Sequence, residues 1–182
     1  MFSWLHCSIS PDDLATGFRR FLETTETLHM LRASGDWRTD VVRCLTSTFL
    51  GKPDKRYYIR KLEYFVPSAS RSPGSLIKYE AKVTIVLKYV EEKQPSIQVI
   101  KHGDLGPIGK LMHEFYPVLY AQSDCVVLGS YNLTDRTTCS MWAKHSALNR
   151  PLSDCKFVLF SLCANPIYNA HEYEREQCRK IK

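Results

Sequence analysis

The chain has 182 residues, 44% hydrophobic and 12% aromatic, which is apolar material enough for a core, and a single domain is expected over residues 1–182. Its formal net charge of +6 comes from Lys and Arg scattered along the chain, which argues against a nucleic-acid binder with one basic block. No 18-residue apolar stretch is present, which argues against a membrane-spanning helix.

Met1 to Cys7 lacks both the basic start and the apolar run of a secretory leader, so residues 1–9 are read as a leader remnant or an incomplete amino terminus. Ser10-Pro11-Asp12-Asp13 predicts a helix start: Ser10 caps, Pro11 suits the first turn, and the carboxylates complement the positive end of the dipole. Leu14, Phe18, Phe21 and Leu22 then form one apolar stripe that ends near Thr24.

From there to about His145 the apolar period is two, in runs rich in Val, Ile, Thr, Tyr and Phe. Strands are expected near 26–34, 39–50, 56–67, 76–90, 96–101, 114–121, 125–131 and 137–144. In the clearest, Tyr79, Ala81, Val83, Ile85 and Leu87 share one face against Lys78, Glu80, Lys82, Thr84 and Lys88. Breaks fall at Gly51-Lys-Pro-Asp, at Ser68 to Gly74 and at Gly103 to Gly109. Ser153-Asp154 is expected to cap a second helix with Phe157, Phe160 and Leu162 on its apolar side, stopped by Pro166 and followed by a charged tail to Cys178. Meandering strands with a helix before and after predict an all-β fold with flanking helices, closed into a small barrel so that no sheet edge is left open.

Seven cysteines with no Cys-x-x-Cys step speak for a disulfide framework in an oxidising compartment, against a zinc ribbon or a thioredoxin-type site. The six histidines show no i, i+4 pair and no His-x-His step, so no metal is expected. Nucleophile-elbow and phosphate-loop motifs are absent, and neither an enzyme nor a cofactor is expected. Asn132-Leu133-Thr134 is a glycosylation sequon between two predicted strands.

Cys44, Cys125, Cys139, Trp142, Cys155, Cys163 and Cys178 together resemble the tick salivary lipocalins, the family of histamine-binding proteins. The resemblance covers nearly the whole chain and is most specific from Tyr120 to Cys178. It implies an eight-stranded antiparallel lipocalin barrel, with a short N-terminal helix and a C-terminal helix packed on it. It also implies the pairs Cys125 with Cys155 and Cys44 with Cys178, leaving Cys139 to Cys163 and Cys7 unpaired.

The family's amine signature places Asp after the first cysteine and Glu before Leu-Trp; here Val126 and Ser140 stand at those positions, with Met141 for Leu. An ammonium ligand taken out of water needs an anion, so amine capture would require a substitute from Glu63, Glu80, Glu114 or Asp124. Strand alternation places Ser140 with Trp142, Val126 with Leu128, and Tyr116 with Val118 and Tyr120, as candidate lining of a pocket or as plain core. Such lining suits a lipid-like or acidic amphipathic ligand, whose carboxylate Arg60 or Lys61 would meet at the rim; a solvated outer strand face is the other reading of those two residues.

The expected function is therefore that of a secreted, extracellular and monomeric lipocalin that sequesters a small host mediator. By resemblance that mediator is a biogenic amine such as histamine; the alternatives are a lipid mediator, or a host protein bound outside a vestigial cavity. Neither a nucleic acid nor a membrane is an expected partner.

Overall fold

A computed structural model describes residues 9–34, 41–68, 74–130 and 136–181; Cys7 and the Asn132 sequon lie outside the described residues. Helix α1 (Pro11–Leu22) begins at Ser10, whose side chain accepts the Asp13 N–H at 3.1 Å, and buries Leu14, Ala15, Phe18, Phe21 and Leu22. That stripe is the one the spacing predicts. The helix lies close against the strand that ends at Ala121: a Cβ on Gly17 would stand 2.6 Å from the Ala121 carbonyl oxygen.

Eight strands pair antiparallel in sequence order: β1 (Leu28–Ser34), β2 (Arg43–Asp54), β3 (Tyr57–Pro67), β4 (Leu76–Lys88), β5 (Ser96–His102), β6 (Phe115–Ala121), β7 (Cys125–Leu128) and β8 (Ser140–Lys144). Because β1 pairs with both β2 and β8, the sheet closes into a lipocalin barrel, and no edge runs its full length. The β1–β2 pairing covers only Leu28 and His29, so the far end of β1 is left to a short ninth strand, β9 (Ile167–Tyr168), on Ala33 and Ser34.

Several local expectations are corrected. The break at Gly51-Lys-Pro-Asp lies inside β2, where two register shifts accommodate Pro53, and the hairpin turns at Lys55-Arg56 instead. Helix α2 (Ser153–Leu162) starts with Ser153 as its first residue; Leu152 holds the cap position at φ 48°. Its buried face is Cys155 and Leu159, whereas Phe157, Phe160 and Leu162 are 73%, 50% and 49% exposed. The physical reason is covalent. Disulfides Cys125–Cys155 and Cys139–Cys163 tether residues eight apart on one face of the helix region, and that face must meet the barrel whatever lies opposite.

The charged tail is a third helix, α3 (Ala170–Lys180), capped by Asn169, which accepts the Glu172 N–H at 3.3 Å. Ala170, Glu174 and Cys178, each four apart, turn toward the barrel, and Cys178 bonds to Cys44 of β2. Glu174 is 4% exposed; it accepts the Cys44 N–H at 2.6 Å and the Tyr168 hydroxyl at 3.1 Å. Two apolar layers result. One fills the barrel and the underside of α1, and the other lies between the outer wall of β6 to β8 and α2.

Candidate functional site

Inside the barrel is a cavity of about 450 Å³. Phe18, Phe21 and Leu22 of α1 form its floor, and the walls are largely aliphatic, among them Met30, Leu45, Leu62, Val83, Ile85 and Val99. At the opposite end a 3-10 turn (Gly106–Lys110) folds inward and buries Leu105 and Ile108. Tyr64 of β3 holds that turn: its hydroxyl donates to the Leu105 carbonyl at 2.5 Å, receives the Ile108 N–H at 3.4 Å, and its ring stacks on Tyr79. Gly106 adopts φ +65°, and a Cβ there would meet the Tyr64 hydroxyl at 2.8 Å, so the turn requires glycine for both reasons. Lys110 and His113 line the cavity and are exposed to solvent, which marks its mouth.

Five of the seven residues singled out by alternation line this cavity, namely Tyr116, Val126, Leu128, Ser140 and Trp142, while Val118 and Tyr120 do not. Cross-strand register sets Val126 opposite Trp142 and Leu128 opposite Ser140, so the two positions that would carry the signature acids face the interior. The Trp142 indole donates to Ser140 Oγ at 3.0 Å. The Tyr116 hydroxyl accepts the His113 N–H at 2.7 Å, and burial pushes its phenol pKa up.

Tyr120 points outward. A register shift between Val118 and Tyr120 inserts one residue, so Val118 and Ala121 face in while Tyr120 packs in the layer beneath α2. Its hydroxyl donates to Asp154 at 3.3 Å and accepts from Gln122. Strict alternation cannot anticipate a bulge.

The charges sort cleanly. Glu63 and Glu80 lie on the outer wall in a cluster with Lys61 and Lys78, at 3.1 Å for Lys61 to Glu63 and 2.9 Å for Lys78 to Glu80. Hydrogen bonds from Lys78 and then Lys61 hold the Glu63 carboxyl below the usual carboxylate range. Glu114 is exposed and accepts from Gln98 at 2.7 Å, and Asp124 pairs with Arg150 at 2.5 Å. None of these four acids lines the cavity, and no other Asp or Glu among the described residues does.

Arg60 corrects both of its readings, since it is neither at the rim nor on a solvated face. It is fully buried at the α1 end of the cavity, on the same strand face as Tyr58, Leu62 and Tyr64. Its Nε donates to Ser47 Oγ at 2.7 Å, Nη1 to the Leu22 carbonyl at 2.7 Å and Nη2 to the Ser47 carbonyl at 3.0 Å. Burial pushes its pKa down to about 10, which still leaves a cation at neutral pH. Leu22 ends α1, so this cation sits at the negative end of the helix dipole, and the Phe49 ring lies 5.9 Å from it. Its partners are neutral oxygens and a ring; no carboxylate pairs with it among the described residues.

A guanidinium has five N–H donors, and three are used here, so the buried end of the cavity keeps unspent donor capacity. The site is thus an apolar chamber with Arg60 at one end, Lys110 and His113 at the other, and hydroxyls of Ser34, Ser47, Ser130, Thr138 and Ser140 between. Sequence reasoning missed the mouth residues and the inward face of Arg60. The latter was legible: Tyr58, Arg60, Leu62 and Tyr64 alternate with exposed or half-exposed neighbours.

Comparisons with known proteins agree with this architecture. The fold is that of Japanin from Rhipicephalus appendiculatus bound to cholesterol, with TM-score 0.65 at 18% identity over 81% of this chain and 93% of that one. It is also that of AM182 in its serotonin complex, with TM-score 0.52 at 14% identity over 84% and 88%. Lobster apocrustacyanin A1 matches with TM-score 0.52 at 12% identity over 88% and 84%. No curated protein sequence matches the chain. The family described as tick histamine binding protein matches residues 18–180, the barrel and all three helices but for the first turns of α1, and the chain belongs to that family.

Proposed function

We propose that this protein captures one small apolar or anionic amphiphilic molecule in its barrel, stoichiometrically and without turnover, as a secreted product that removes a host mediator. The observation that carries this reading is the cavity of about 450 Å³ whose charged lining residues are the cations Arg60 and Lys110, with no carboxylate among the described lining residues. That volume lies within the usual range for small-ligand sites, and a buried cation with spare donors favours a carboxylate or hydroxyl over an ammonium group. Capture of histamine or serotonin through the signature pair is disfavoured, because Val126 and Ser140 bring no charge to the two interior positions. Cholesterol bound to Japanin and serotonin bound to AM182 support a small molecule as the kind of guest this fold holds. The three disulfides support an oxidising, extracellular setting.

Trp142 lines the cavity and reports on its contents. Titration with a long-chain fatty acid is expected to change tryptophan emission saturably at one equivalent, and Trp142→Phe to remove the response, while histamine gives little change. A saturable response to histamine with none to the fatty acid would overturn the reading. A second reading, a host protein bound on the outer surface, is favoured by the exposed Phe157, Phe160 and Leu162 of α2. Silence toward every small ligand, with partner binding lost in Phe157→Ser/Phe160→Ser, would select it.

A further inference from the structure

On the outer wall, away from the cavity, the fold brings together two histidines that are 116 residues apart. His29 of β1 and His145, which follows β8, place Nε2 and Nδ1 3.2 Å from each other, with ring centroids 5.2 Å apart and planes tilted by 41°. Both residues are anchored by backbone. His29 stands opposite Ala143 and Thr46 in the sheet, and the His145 N–H donates to the Thr27 carbonyl at 3.0 Å. The rings face an open groove of about 740 Å³ between the barrel and α3, with His145 exposed and His29 half-buried. The next residue, Ser146, gives its N–H to the Glu26 carboxylate at 2.9 Å, which fixes an anion beside His145.

We infer that His29 and His145 form a two-imidazole chelate for a borderline transition-metal ion such as Zn²⁺ or Ni²⁺, with water filling the remaining positions. Metal–imidazole bonds are about 2.0–2.1 Å, so nitrogens 3.2 Å apart subtend about 100° at a shared ion, between the octahedral and tetrahedral values. As the rings now stand, one nitrogen donates its hydrogen to the other's lone pair. Metal binding moves that shared proton, by exchange with solvent, to the other nitrogen of the donor ring, so both rings remain neutral imidazoles, and each ring turns so that its lone pair meets the ion. Two neutral nitrogen ligands select Zn²⁺, Ni²⁺ or Cu²⁺ over Ca²⁺ or Mg²⁺, which take oxygen. The nearby trio Cys44, Glu174 and Cys178 does not compete for the ion, because its sulfurs are bonded to each other. An ion held here would tie β1 to the segment after β8, across the seam where the barrel closes.

Calorimetric titration with Ni²⁺ and with Zn²⁺ is the test, using the oxidised full chain. The expected result is one site per chain, weakened at least about tenfold in His29→Ala and in His145→Ala alike, with the double variant at least as weak as the poorer single. His171→Ala, in the same groove, should bind as the wild type does. Circular dichroism of each variant is expected to match that of the wild type, so that a loss of binding reads as loss of a ligand. Equal affinity in the wild type and the double variant, or an equal loss in His171→Ala, would overturn the assignment.

Discussion

Two buried charges show how differently the molecule treats ions. Arg60 keeps its charge by gathering three neutral oxygens and the end of α1, and it faces the cavity that has no acid of its own. Glu174 sits under α3 where burial raises its pKa against the opposing pull of the Cys44 N–H, the Tyr168 hydroxyl and Arg43. Since the folded value lies above the unfolded one, the folded state holds this proton more tightly. The stability that follows is fully present below the ordinary value of 4.5 and is lost as pH rises through the folded value. In Glu174→Gln the amide oxygen still accepts from Cys44, and the Tyr168 hydroxyl turns to accept from the amide nitrogen. Urea midpoints measured across the pH range above 4.5 are therefore expected to fall less in Glu174→Gln than in the wild type. Parallel curves for the two proteins would contradict this account of Glu174.

Among the elements, α1 is the floor of the site, and its seat depends on Gly17. A methyl group there would meet the Ala121 carbonyl at 2.6 Å, and neither backbone yields without moving helix or strand. Gly17→Ala should cost about 1–3 kcal/mol through this overpacking and lower the melting temperature, against the gain that alanine usually brings inside a helix. An unchanged or higher melting temperature would show that α1 is free to shift. Most of the elements were legible in sequence for a plain reason: α1 and the eight strands each carry their own period, from Leu14-Phe18-Leu22 to the alternation of β4. The interior positions 126, 128, 140 and 142 were legible for the same reason. What escaped was set by long-range contact. The bulge in β6 turns Tyr120 outward, and the Cys155 and Cys163 tethers choose the face of α2 over its larger apolar residues. Helix α3 was missed because its apolar content is low, although Asn169 with Glu172 three residues on is a helix-start signal. The 116-residue gap between His29 and His145 is invisible to any spacing rule.

At the scale of the whole molecule, a hollow barrel gives up core packing and must be braced elsewhere. The Cys44–Cys178 bridge closes the widest loop, 134 residues, against 30 and 24 for the other two. On chain entropy alone that is about 5 kcal/mol for the first and about 3.5 for each of the others, so the α3 tether matters most to the unfolded chain. With the shell so braced, what the barrel holds is decided by the sign of its lining charges. The most direct measurement is a head-group series on one alkyl chain: dodecanoic acid, dodecanol and dodecylamine, titrated against the wild-type protein under identical conditions. Apolar burial is common to all three, so differences report the lining charges. The expected order is acid tightest, alcohol next and amine weakest; an amine that binds more tightly than the acid would contradict the claim that this cavity is built for neutral or anionic guests.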